Sequence, residues 1–376
     1  MHRLSMLAPR LVTSGTLVLA VAAGGCFGPR FDRGAMLDEI GMNVILPAHE
    51  GLLREAARLD STVTRFAAEP SGESLLLVRE RWLATDLAWR AIQLFQFDGL
   101  LIIHNSIERR PARADFIEEV IAARAAGTAG PIDADFIAGI GSTSKGLGAI
   151  EHLIFTGSTP VDEPASEDPD GTVVESFVRE PARAEYLRAV AEALVRTAGE
   201  LRSHWAPDGD NYVRTFREND SDGADVQGSI SHLANRMVEL HEIATRDWLG
   251  RPTGRTTDGI ARAEDVEVPL SGRSLELLIA SVEGIQRTFE AGLDDYLDYL
   301  DPAEGEGRLS ARIARQFDTA LDALRAIDGP LKVAVLDDPA TAEAAYDEMR
   351  ELVVLLKSEM SAQLGITITF SDSDGD

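Results

Sequence analysis

Residues 78–95 read VRERWLATDLAWRAIQLF. Val78, Trp82, Thr85, Trp89, Ile92 and Phe95 recur at three- and four-residue spacing, with Arg79, Glu80, Asp86 and Arg90 between them. That period puts one apolar stripe on an α-helix and leaves the charges on the other faces. Leu275, Leu278, Ile279, Val282, Ile285 and Phe289 repeat the pattern, with Ser274 placed as an N-cap. Val353, Leu356, Met360 and Leu364 form a third stripe, and Gly365 stands where a C-capping glycine would. Long alternating runs are absent, and the one short strand candidate is Ile366-Thr-Ile-Thr-Phe370. The expected fold class is all-α.

Breaks in this pattern suggest the organisation. Residues 157–171 and 207–228 are rich in Ser, Thr, Pro, Asp, Glu and Gly and read as solvated loops. A boundary near 205–228 divides the body into helical halves at 36–205 and 206–376. Ahead of them, residues 1–25 carry Arg3 and Arg10, a mostly apolar run from Leu11 to Ala22 that is too short to span a bilayer, and then small residues. Cys26, the only cysteine, follows directly. This is the pattern of a lipoprotein signal peptide, with Cys26 as the lipidation site and 26–35 as a tether. The other reading is an ordinary secretory signal with Cys26 incidental. Phe27, rather than an aspartate, leans the expected location in the cell envelope toward the outer membrane. Removing 1–25 takes away two arginines and no acid, so the net charge moves from −27 to −29. Such a charge argues against nucleic acid as a partner. A single cysteine excludes an intramolecular disulfide and Cys-rich zinc or iron–sulfur sites.

The stretch with the most chemistry is KGLGAIEHLIFTG, residues 145–157. On a helix the neighbours of Glu151 are Leu147, Gly148, Ile154 and Phe155, none of which could pair with it. A carboxylate in such a run is costly to bury unless another segment brings a hydrogen bond, a cation or a metal. Histidines or acids around it would mean a metal site, and an arginine a structural ion pair.

Taken with Asn43-Val-Ile-Leu-Pro47, the tryptophan helix, Leu270–Glu276, Leu355-Leu-Lys357 and Leu364–Phe370, this segment resembles the imelysin-like family of bacterial envelope proteins. The resemblance runs from about residue 38 to 376. It implies two packed helical bundles with a cleft between them, in an exported protein connected with iron acquisition. It also implies a metallopeptidase as one activity, since the family was named for one. The family's central segment commonly reads G-x-H-x-x-E, where His and Glu three apart could hold a metal. Here Gly146 and Glu151 match, but the histidine position is Gly148. His152, adjacent in sequence, points about 100° away on a helix. Gly146, Gly148, Glu151 and His152 are therefore the candidate ligand-binding set.

Other candidates carry less. His49, His104, His152, His204, His232 and His241 form no H-E-x-x-H, and each alone specifies no coordination geometry. Singly they read as surface or capped histidines. Glu239, with Asn235 and Glu242 at helical spacing, is a second metal candidate as an oxygen-rich patch. Asp372-Ser-Asp-Gly-Asp376 opens like a calcium loop but lacks the later glutamate. No nucleophile elbow, P-loop or dinucleotide fingerprint is present. Trp82 and Trp89 read as core. The sequence thus supports a lipid-anchored binding protein that takes iron, another divalent cation or an iron-bearing molecule in a cleft, beside iron-transport partners. A metallopeptidase and a surface interaction protein with a vestigial site are the alternatives.

Overall fold

The computed structural model describes residues 30–369 except 98, 157–168, 219–227 and 302–304. The signal peptide, Cys26, the tether's first residues, Phe370 and the acidic tail lie outside the described residues. Residues from Asp32 onward form one compact unit, and its described secondary structure is helical throughout.

α1 (Arg33–Ile40) passes through a π-helical turn (Gly41–Ile45) into the long α2 (Leu46–Ala68), which has Pro47 in its first turn, where no amide hydrogen is needed. α3 (Gly72–Arg90) is the tryptophan helix. Ser71 opens it with a reciprocal cap, its hydroxyl accepting from the Ser74 amide while its own amide donates to the Ser74 hydroxyl. Val78, Trp82, Thr85, Trp89, Ile92 and Phe95 are all buried, as their period demands. Short helices follow: α4 (Leu101–Ile107), α5 (Ala114–Ala125), α6 (Ala134–Gly139), α7 (Gly146–Phe155) and α8 (Pro169–Arg179). The long α9 (Pro181–Trp205) packs along α2 and completes the first half.

α10 (Tyr212–Glu218) lies inside the stretch expected to be a loop. Its polar composition hides two buried residues: Phe216 stacks on Phe97, and Val213 reaches the π-helical turn at Gly41. α11 (Ser229–Ile243) continues through a second π-helical stretch, Ala244–Gly250. After a loop come α12 (Ser274–Thr288), α13 (Asp294–Leu300), α14 (Leu309–Arg325), α15 (Leu331–Asp337), α16 (Pro339–Val354) and α17 (Ser361–Leu364). α14 packs on α12 and α16, burying Phe289, Phe317 and Met349.

Two local expectations are corrected. Ser274 is the first residue of α12 rather than its N-cap, because its hydroxyl accepts from the Val268 amide and closes the preceding loop. Residues 366–369 form no strand, because Asn235 takes the hydrogen bonds a ladder would have used. Its amide donates to the Thr367 carbonyl, and its oxygen accepts from the Thr369 amide. Gly365 does cap the last helix, in the left-handed conformation at φ +67°. No helix among the described residues is long and apolar enough to cross a membrane.

Candidate functional site: a charged cavity

α7 is anchored by side chains at both ends. Trp82 Nε1 donates to the Leu147 carbonyl at 3.0 Å. At the other end, Arg79 Nε donates to the Ile154 carbonyl at 2.9 Å and Arg183 Nη2 to the Leu153 and Thr156 carbonyls. These guanidiniums satisfy carbonyls left open by the helix terminus and oppose its negative dipole end. Gly146 starts the helix at φ +67°, and a Cβ there would stand 2.2 Å from the Ile107 carbonyl oxygen, so only glycine fits. Gly148 faces the turn after α4, where a Cβ would meet Arg110 Cγ at 3.4 Å and the Arg109 carbonyl at 3.5 Å. A methyl has room there, but an imidazole would have to displace that turn.

Glu151 is buried, and its partner is an arginine. Arg110 Nε stands 3.5 Å from one carboxylate oxygen, and the Ser271 amide donates to the other at 3.0 Å. Burial pushes the Glu151 carboxyl above its usual range, while Arg110 and the Ser271 amide pull the other way. His152 does not join it. Its Nε2 meets Glu118 at 2.8 Å, and Arg183 Nη1 donates to the same oxygen, so this imidazole belongs to the clamp on the end of α7.

Arg110 belongs to a larger buried network. Asp86, in α3, accepts from Arg90 Nε at 3.1 Å with one oxygen and from Arg110 Nη2 with the other. Arg90 Nη1 donates to Glu267 Oε1 at 2.9 Å, and Arg110 Nη1 lies 3.0 Å from Glu108. Arg110 Nε and Nη1 are at ion-pair distance without hydrogen-bond alignment. Against its own burial, the carboxylates of Asp86 and Glu108 hold Arg110 firmly protonated. The network crosses between the halves twice, at Arg90–Glu267 and at Glu151–Ser271.

Beside it opens a cavity of about 720 Å³. The first half supplies Trp89, Gln93, His104 and residues 108–111; the second supplies Arg236, Glu239, Asp247, Trp248 and residues 264–267. The described lining holds six acids (Glu108, Glu239, Asp247, Glu264, Asp265, Glu267) and four arginines (Arg109, Arg110, Arg236, Arg251). Several lining groups are buried with polar atoms that find no partner among the described residues: Trp89 Nε1, Gln93 Oε1, both ring nitrogens of His104, Arg236 Nε and Glu267 Oε2. Burial pushes the His104 imidazole well below its usual range, so it is neutral and offers one donor and one acceptor. Asp247 and Trp248 sit on the π-helical stretch, a geometry that recurs at functional sites.

The donor set does not suit a bare metal ion. Among the described residues no group of three His, Cys, Asp or Glu side chains is placed to hold one. Glu151 is shared with Arg110, and Glu239 is paired with Arg236 at 2.5 Å. The rest of the expected oxygen-rich patch disperses, Asn235 to the C-terminal segment and Glu242 to Lys357. The histidines also differ from expectation. His49, His104 and His241 are core residues, and burial lowers His49 and His241 to about 4.

Sequence reading missed Arg110, His104, Gln93, Arg236 and Glu267 as site residues. Their only local signal was charge or polarity between apolar runs, which is also the signature of a surface. Trp89 was read as core, which it is, but it is cavity wall as well.

Two solved structures share this architecture. An imelysin-like protein from Psychrobacter arcticum superposes with a TM-score of 0.72 at 15% identity, covering 90% of this chain and 97% of that one. A Parabacteroides distasonis protein, proposed to be an iron-regulated protein A precursor, gives 0.68 at 18% identity, covering 91% and 97%. No curated protein matches. The imelysin family matches residues 45–358, which take in α2, α7, the buried network and every wall of the cavity. The chain belongs to the imelysin family.

Proposed function

We propose that this protein is a lipid-anchored binding protein of the cell envelope that holds an iron-bearing small molecule whole in the cavity between its halves. The observation that carries this reading is the set of buried, unpartnered hydrogen-bonding atoms on residues lining one void. Buried polar atoms are normally satisfied, so such a concentration marks a place for something polar to enter. A void of about 720 Å³ suits a drug-sized ligand. The arginines beside Glu151 and Glu239 favour a chelated metal over a bare one, since the protein then needs no coordination shell of its own. Iron enters from the name of the Parabacteroides relative. Anchoring at Cys26 and delivery to iron-transport proteins complete the proposal.

Trp89 and Trp248 line the cavity and serve as reporters. Titration of the purified protein with ferric chelates should quench tryptophan fluorescence saturably. His104→Leu keeps the bulk but removes both ring nitrogens, and should weaken binding by roughly tenfold, the value of one hydrogen bond at a buried site. Absence of saturable quenching, or equal binding by the variant, would count against the reading.

A further inference from the structure

The buried network beside the cavity holds more negative than positive charge. Asp86, Glu108, Glu151 and Glu267 share two guanidiniums, those of Arg90 and Arg110. Fully ionised, the four carboxylates exceed the two cations by two charges. The cavity lining tilts the same way, six acids to four arginines among the described residues. One oxygen of the network is left over, beside three guanidinium nitrogens without a hydrogen-bond partner among the described residues, Arg90 Nη2 and Arg110 Nε and Nη1. Glu267 Oε1 accepts from Arg90, whereas Oε2 has no partner among the described residues, on a side chain only 7% exposed in a residue that lines the cavity.

A desolvated carboxylate oxygen without a partner is costly, and a cation beside it removes most of that cost. An anionic ligand would add to the excess. The two indoles in the wall also favour positive charge, since aromatic faces attract cations. The Arg90 guanidinium already lies over Trp248 at 5.1 Å. We propose that the ligand of this cavity carries an organic cation, an amine or guanidine, whose positive end is received by the Glu267 carboxylate, which turns toward the void from the closed position in which Oε2 meets neither solvent nor a partner among the described residues. The proposal rests on the cavity being a ligand site and adds the charge of what enters it. Burial pushes the Glu267 carboxyl upward against the pull of Arg90 and Arg110, a cost that a cation beside it relieves.

Three ferric chelates with one core test it near neutral pH: ferrioxamine B, with its free ammonium arm, its N-acetylated form and its N-succinylated form. Spermidine, a metal-free polycation, serves as competitor. The ammonium form should bind about tenfold or more tightly than the acetylated form, as expected of a charge-assisted contact. The succinylated form should bind weakest, and spermidine should displace the ammonium form. Glu267→Gln keeps an acceptor for Arg90 and should abolish the preference, so that the ammonium and acetylated forms bind the variant alike. Glu108→Gln lowers the same negative potential without touching Glu267 and should narrow the preference. Equal or tighter binding of the acetylated or succinylated form would overturn the proposal and leave the cavity reading standing. So would a preference that persists in both variants. If no probe binds, both fall together.

Discussion

At the scale of single residues, Glu151 is a buried carboxylate held by an arginine, inside a network with acid to spare. This predicts an asymmetry. Removing one acid relieves repulsion, so Glu151→Gln, which can still accept from the Ser271 amide, should change stability by no more than about 1 kcal/mol. Arg110→Met strips the cation from Asp86, Glu108 and Glu151 together and should cost about 3–5 kcal/mol, as breaking a buried pair does. Denaturant unfolding of the two variants near neutral pH decides it, and equal losses would contradict the account. The glycines make a second pair. Gly146→Ala should cost roughly 3 kcal/mol or more, from a strained φ and a clash with the Ile107 carbonyl, whereas Gly148→Ala should be nearly neutral. The burial of Glu151 was legible from its apolar neighbours. Its partner was not, because Arg110 comes from a turn whose approach depends on α4, and no local pattern announces that.

At the scale of elements, periodicity locates α3, α12 and the last helices because each has one stripe to bury, whereas α7, buried from Gly146 to Ile154, has no such stripe and shows only as an apolar run. Periodicity misses α10, whose anchors Val213 and Phe216 are too few to set a period, and the π-helical stretches, whose extra residue per turn leaves no mark in composition. It also could not tell core histidines from surface ones. His49 joins the π-helical turn through the Ile45 carbonyl, and His241 joins α11 to α16 through the Met349 carbonyl at 2.9 Å. Both are lowered to about 4, so the unfolded chain takes up their protons first as pH falls. Their stabilisation is complete above about pH 6.5 and is lost on descending toward 4, at about 1.4 kcal/mol per pH unit for each. Glu151 and Glu267, raised by burial, act oppositely: the fold gains from their protonation as pH falls through their raised values. His241→Gln, whose amide can still donate to Met349, should remove one histidine's share of the slope in urea unfolding measured from pH 6.5 to 4. An unchanged slope would contradict a neutral, buried His241.

At the scale of the whole molecule, the segments on either side of residue 205 meet where α1 packs on α10 and on the turn at Phe289–Leu293, where α3 packs on α12, and where the loop before α12 reaches back to Arg90 and Glu151. All-α architecture and the family were readable in the sequence. The site lies one step away from residues 145–157. Glu151 braces the turn bearing Arg110, and that turn, with Trp89, His104 and Glu267, walls the cavity. Sequence pointed to the brace because a lone carboxylate in an apolar helix is conspicuous. The wall is assembled from separate segments and becomes visible only in the fold. On the proposed function, a ligand in this cavity bridges the two stretches that wall it, one from Trp89 to Pro111 and one from Arg236 to Pro269. Amide hydrogen exchange, with and without saturating ferrioxamine B, tests it most directly. The account predicts slowed exchange in residues 89–111 and 236–271 together, with the far ends of α2 and α14 unchanged. Protection confined to one half, or absent from both stretches while the chelate is bound, would contradict it.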